Sequence, residues 1–152
     1  MFFWGAICVH GVSDLVFIEG LMNSDAYITV LKEGLLPMYR RHSLLKEDMT
    51  FQEDGDPKHQ SAKTKNWKEK TGLKFIKDWP PNSPDLNLIE NWWAILKRKI
   101  SLKKPVGVEA TEDLLLQEWV KLEADGIVMD LIRSMPKRIK AVIKAKGHPI
   151  NY

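Results

Sequence analysis

Two carboxylates stand out by their surroundings. Asp54 follows the β-prone run Met49 to Gln52 and opens the turn Gly55-Asp56-Pro57. Glu90 sits in the first turn of a segment whose apolar residues Ile89, Trp92, Trp93, Leu96 and Ile100 recur at three-to-four spacing, the pattern of a helix with one buried stripe. A strand end and the start of a helix docked on the same sheet are places from which two side chains can converge. Carboxylate oxygens are hard donors suited to Mg2+ or Mn2+. Two such ions a few Å apart can make an attacking oxygen nucleophilic and neutralise a leaving oxygen, which is what transfer of a phosphodiester to water or to a sugar hydroxyl requires. His59, in the same segment as Asp54, is a candidate contact to phosphate or water beside such a site.

Plainer roles remain open for each of these residues. Glu90 stands three positions after Asn87, as the acid of a capping box does. Asp54 and Asp56 flank Gly55 before Pro57, an ordinary turn composition. A histidine at a helix start is commonly a local hydrogen-bond partner. Asp78 and Asp85 read as loop and cap residues, with Ser83-Pro84-Asp85 supplying an N-cap, a first-turn proline and an acid favoured by the helix dipole. The chain has 20 acidic residues, so many pairs share this spacing and spacing does not choose between the roles.

The elements that must carry these groups follow from periodicity and breakers. Phe2 to Val9 and Leu15 to Glu19 read as two antiparallel strands joined by a turn over His10-Gly11-Val12-Ser13-Asp14. Asn23 or Ser24 caps a helix running to about Leu36, with Tyr27, Val30, Leu31 and Leu35 on one face and Pro37 soon after its end. A short strand over 49–52, a lysine-rich helix over about 60–70 ended by Gly72, and a strand over 73–76 come next. Beyond the Glu90 helix, Pro105 and Gly107 act as breakers. Shorter helices are expected over about 111–124, 127–134 and 136–146, with Thr111 as an N-cap and Pro136 as a first-turn proline. Strands followed by mostly helical sequence imply a mixed α/β or α+β layer architecture.

Length and composition fit roughly one globular domain. The 152 residues are 44% hydrophobic and 28% charged, too apolar for wholesale disorder. Net charge is only +3, but Lys97, Arg98, Lys99, Lys103 and Lys104 follow Glu90, and Arg133, Lys137, Arg138, Lys140, Lys144 and Lys146 crowd the end. Such stripes suit a polyanion, and they also describe ordinary solvated helix faces. A single cysteine, Cys8, excludes an internal disulfide and a thiolate zinc cluster, which makes a cell interior the default. The apolar opening from Phe2 to Val9 is far short of the roughly 18 residues of a membrane span and has no basic leader, so it reads as a buried strand and no membrane partner is expected.

A string of residues then carries a resemblance. Asp78-Trp79-Pro80, Ser83-Pro84-Asp85-Leu86-Asn87, Ile89-Glu90-Asn91 and Trp93 resemble the most recognisable block of the Tc-one/mariner superfamily of cut-and-paste DNA transposases. Upstream, Phe51-Gln52, Asp54 and Asp56-Pro57-Lys58-His59 resemble the family's segment with its second catalytic Asp. Trp4-Gly5-Ala6-Ile7, Gly11 and Leu15 to Gly20 resemble its second and third strands. The match is specific from Met1 to Lys104 and weaker beyond. It implies an α/β fold with an RNase H-like mixed sheet flanked by helices. Residues 1–104 would form a partial catalytic domain, and 105–152 its C-terminal helical extension. It also implies an Asp-Asp-Glu triad binding two Mg2+ (or Mn2+), with Asp54 as the second acid and Glu90 as the third. Excision and integration of DNA, in the nucleus, would follow. Lys58, His59, Lys97, Arg98 and Lys99 are then the candidate DNA contacts, no small-molecule substrate is expected, and self-association stays open.

The chain departs from the family's pattern in ways that shape the expectation. The family's first acid lies on a strand upstream of the one that starts here at Trp4, and Asp14, in a turn, does not replace it. On that pattern the central strand, the first acid and the helix-turn-helix DNA-binding units lie outside this sequence. A truncated, catalytically incomplete transposase is therefore expected, with a non-catalytic nucleic-acid-binding remnant or a decayed product as the alternative. Smaller departures are Glu53 where Gln is common, Gly55 where Asn is common, Leu88 where Pro is common, and a stretch between Asp54 and Glu90 one residue longer than usual.

Overall fold

The N-terminal apolar run folds back on itself in a hairpin with two registers. In a computed structural model describing residues 2–44, 48–77, 79–80 and 83–150, the run forms β1 (Phe2–Trp4), β2 (Ile7–Cys8), β3 (Gly11–Val12) and β4 (Val16–Ile18). β1 pairs with β4 from Phe2 opposite Ile18 to Trp4 opposite Val16, and β2 with β3 from Ile7 opposite Val12 to Cys8 opposite Gly11. Between the ladders, Gly5 and Ala6 face Ser13, Asp14 and Leu15, so the returning strand carries one extra residue, a bulge. Buried Ser13 closes it. Its N–H donates to the Ala6 carbonyl at 2.8 Å, and its hydroxyl accepts from the Ala6 N–H at 2.8 Å. The turn is tighter than the five residues expected, because Gly11 at φ +142° takes a conformation closed to most side chains and pairs directly with Cys8.

The described residues divide into two compact units, one of Met1–Ala6 with Ser13–Asn82 and one of Ile7–Val12 with Ser83–Tyr152. In the first, α1 (Ser24–Val30) starts at Asn23, whose side chain accepts from the N–H groups of Asp25 and Ala26 at 2.9 Å. The helix does not stop before Pro37. A π-helical turn over Leu31–Leu35 leads directly into α2 (Leu36–Arg41), with the Leu36 N–H reaching back to Leu31. A proline lacks the N–H and crowds the preceding turn, and widening that turn lets the helix pass through it. Tyr27, Val30, Leu31 and Leu35 are buried as their spacing predicts. Gly34 is where this helix meets the hairpin: a Cβ there would lie 2.5 Å from the Trp4 ring.

The segment carrying Asp54 follows. β5 (Thr50–Phe51) precedes it, and α3 (Pro57–Gln60) and α4 (Ala62–Thr71) come after it. Gly72 ends α4 in the left-handed conformation at φ +69°, and β6 (Lys74–Phe75) pairs with β5 in parallel. α1 packs on both α3 and α4. The single mixed sheet of the expectation appears among the described residues as three separate two-stranded pairs: β1 with β4, β2 with β3, and β5 with β6. No described strand joins the hairpin to the parallel pair.

In the second unit a 3-10 turn over Pro84–Leu86 leads into α5 (Leu88–Lys103), followed by α6 (Val108–Ala124) and α7 (Ile127–Lys144). Trp92 and Leu96 of α5 are fully buried. Trp92 meets Trp119 of α6 edge-on with ring centroids 5.5 Å apart, and Trp93 stacks on the same ring at 5.1 Å. The tip of the hairpin, β2 and β3, belongs to this unit, where the Val12 N–H donates to Glu123 of α6 at 3.0 Å. α6 begins at Val108, and the Thr111 hydroxyl donates to the Gly107 carbonyl from inside the helix at 2.6 Å instead of capping it. α7 runs unbroken through Pro136, because its buried residues Val128 and Arg138 hold it on both sides of the proline.

Candidate active site

Asp54 lies in an exposed loop fastened from beneath. Next to it, Glu53 turns inward and is buried, ion-paired with Lys68 of α4 and accepting from the Tyr27 hydroxyl at 2.6 Å. The Lys68 ammonium also donates to the His59 carbonyl at 3.2 Å and sits 4.1 Å from the centre of the Phe75 ring. Burial pulls the Lys68 pKa below its ordinary 10.5 against the opposing hold of Glu53. Burial and the Glu53 charge push that of Tyr27 up. The alternation of an extended segment explains the arrangement: with Glu53 inward, Asp54 points outward.

On that outer face Asp54 Oδ1 accepts from the Asp56 N–H at 3.1 Å and lies 2.7 Å from His59 Nδ1, an electrostatic contact outside hydrogen-bond geometry. The His59 ring packs on Tyr27 with centroids 4.0 Å apart. Among the described residues, Oδ2 of Asp54 has no hydrogen bond or ion pair. Asp56 caps α3 through the Lys58 N–H at 3.0 Å and is ion-paired with the Lys58 side chain. Burial raises the Asp56 pKa, but these Lys58 bonds outweigh it and hold the carboxyl below its ordinary 3.8. Asp56 thus caps α3 and is held by Lys58, while Asp54 closes the turn through Oδ1.

Glu90 lies in the first turn of α5 in the second unit, exposed. The capping-box role is absent: Asn87 makes no side-chain cap, and only backbone links the two, the Glu90 N–H donating to the Asn87 carbonyl at 3.1 Å. Among the described residues the Glu90 carboxylate has no hydrogen bond or ion pair. The turn before it is held instead by Arg138 of α7, which donates to the Asp85 carbonyl and to Asn91 Oδ1, both at 2.8 Å. Asp85 caps nothing. Its carboxylate accepts from the Ile150 N–H at 3.1 Å. Asp78, with Pro81 and Asn82 of the same block, lies outside the described residues.

The basic residues separate by what they face. Lys97 and Arg98 are exposed. Lys99 is 3.7 Å from Glu118 and 3.6 Å from Asp125, and Lys103 donates to Glu118 at 2.6 Å, so both serve α6. Arg138, counted by sequence with the C-terminal stripe, is 3% exposed and turned inward. Nothing in its sequence context marks it off from Lys137 or Lys140 except its place relative to Val128 on the apolar side of α7. As donors, Asp54 and Glu90 suit a hard divalent ion: both are exposed carboxylates, and among the described residues Asp54 has Oδ2 unused and Glu90 both oxygens. They belong to different compact units. No group of three or more His, Cys, Asp or Glu able to hold a metal ion occurs among the described residues.

Residues 1–109 match the family model of the DDE superfamily endonuclease. The chain belongs to that family. Its similarities place it among Tc-one/mariner transposase sequences. It is 36% identical over 155 residues to the transposable element Tcb1 transposase of Caenorhabditis briggsae, covering 98% of this chain and 53% of that protein. It is 33% identical to the Tc3 transposase of Caenorhabditis elegans over 98% of this chain and 45% of the relative. For the Tc1 transposase of the same organism the identity is 30%, over 98% of this chain and 53% of the relative. This DDE chain spans about half the length of the curated relatives it matches. No described helix is long and apolar enough to cross a membrane.

Proposed function

We propose that this DDE chain is catalytic sequence of a Tc-one/mariner-like transposase acting on DNA in the nucleus, with an RNase H-like fold and with Asp54 and Glu90 as two of the acids that hold Mg2+ or Mn2+. The observation that carries this reading is the condition of the two carboxylates. Each sits where a structural acid would be engaged, Asp54 in a turn and Glu90 at a helix start. Asp54 closes its turn through Oδ1 alone and Glu90 takes no part in a cap, so among the described residues each acid stays exposed with at least one oxygen unused. Bound divalent ions would supply charge neutralisation and a lowered pKa for the attacking water or hydroxyl. The chain's own groups do the positioning. His59, wedged against Tyr27, occupies the Oδ1 side of Asp54 and leaves Oδ2 outward. Lys97 and Arg98 offer exposed charge to phosphates.

The reading is tested by titrating the chain with Mn2+ and following loss of the free-ion signal by electron paramagnetic resonance. Binding that weakens at least about tenfold in both Asp54→Asn and Glu90→Gln is expected, a ligand loss being no milder than loss of an outer partner. Identical titrations of the parent and both variants would overturn it.

A further inference from the structure

We infer that Arg138 is a positioning residue for Glu90, fastening from α7 the turn that launches the α5 helix. This rests on the metal-holding role proposed for Glu90. The first turn of α5 lacks the fastening a helix start ordinarily carries: Asn87 gives it no side-chain cap and Glu90 does not reach back. Its direction is set from outside. One guanidinium nitrogen of Arg138 donates both to the Asp85 carbonyl, ahead of the helix, and to Asn91 Oδ1, just after Glu90, each at 2.8 Å. Its Nε donates to the Ser134 hydroxyl one turn back on α7 at 2.8 Å, which fixes the planar head in the orientation both acceptors need. The residue is 3% exposed, so these charge-assisted bonds form out of water, where they are strongest and where losing one leaves a partner unsatisfied.

Arg138 bonds on both sides of Glu90 and does not touch it. That leaves the carboxylate free while restricting the backbone from which it projects. α7 lies beyond residues 1–109, so the family match does not reach the residue that holds the acid in place.

The test is a double-mutant cycle read by Mn2+ titration, with far-ultraviolet circular dichroism to confirm folding. Arg138→Lys keeps the charge but is shorter and has no Nε to bond Ser134 and fix the head, and Asn91→Ala removes one acceptor while leaving the bonds to Asp85 and Ser134. Each is expected to weaken Mn2+ binding by about tenfold, the range for outer partners of metal ligands. Neither should weaken it further in a Glu90→Gln background, because both act through Glu90. Without metal, hydrogen exchange of the Leu86, Asn87 and Glu90 amides should quicken in Asn91→Ala. Folded variants that bind Mn2+ like the parent, or effects that add in full to Glu90→Gln, would overturn the inference. Should Arg138→Lys fail to fold, Asn91→Ala carries the same comparison. Parent and Glu90→Gln chains that titrate alike would remove the metal role and the inference with it, a result readable apart from failure of Arg138 alone.

Discussion

Glu53 and Lys68 are both buried and depend on each other for charge compensation beneath the Asp54 loop. Removing one partner of a buried pair leaves an uncompensated charge, so Lys68→Met should cost about 3 kcal/mol in urea unfolding, while Glu53→Gln combined with Lys68→Met should recover most of that loss. A single Lys68→Met with an unchanged midpoint would contradict the role given to the pair. Glu118 behaves differently because its partners lie nearer water. The Lys103 hydrogen bond, working against burial, holds its carboxyl below the ordinary 4.5. A folded-state pKa lowered in this way contributes stability above 4.5 that is lost as pH falls through the lowered value. Acid unfolding followed by fluorescence should therefore show a shallower loss below pH 4.5 in Glu118→Gln than in the parent. An unchanged slope would mean the pair contributes nothing.

The helix from α1 through the π turn to α2 meets the β1–β4 hairpin at Gly34, where an added Cβ would lie 2.5 Å from Trp4 and 3.2 Å from Val16. Alanine gains about 1 kcal/mol of helix propensity over glycine. Overpacking against an indole held in a strand costs about 1–3 kcal/mol and should win, so Gly34→Ala should lower the thermal midpoint. A raised midpoint would show that Trp4 yields freely. Much of this level was legible in sequence: the stripe of α5, the Gly72 stop of α4 and the Asn23 cap all rest on local pattern. What escaped depended on tertiary context. Pro37 and Pro136 read as breaks, yet one is passed by a π turn and the other sits inside α7, because packing on either side outweighs the lost hydrogen bond. Thr111 read as a cap from composition, but the helix starts a turn earlier, at Val108.

For the molecule as a whole, the small net charge conceals where the cations face. Lys97 and Arg98 are exposed, whereas Lys99 is shared with Glu118 and Asp125. Each phosphate contact adds about 0.9 to the slope of log affinity against log salt, so Lys97→Ala with Arg98→Ala should reduce that slope for duplex DNA by about 2, and Lys99→Ala by less. Equal effects from Lys99→Ala alone would show that its ion pairs open on binding. Asp54 and Glu90 were singled out in the sequence by the run of residues around each. Arg138 was not, because a buried arginine and a solvated one read the same until the packing of α7 is known. Everything proposed for catalysis rests on Asp54 and Glu90 both holding divalent metal. The direct measurement loads the chain with Fe2+ in place of Mg2+, starts hydroxyl-radical chemistry with ascorbate and peroxide, and maps the backbone cuts by mass spectrometry. Cuts around both Asp54 and Glu90 that Mg2+ suppresses are expected. Cuts confined to one of the two segments, or scattered elsewhere, would contradict it.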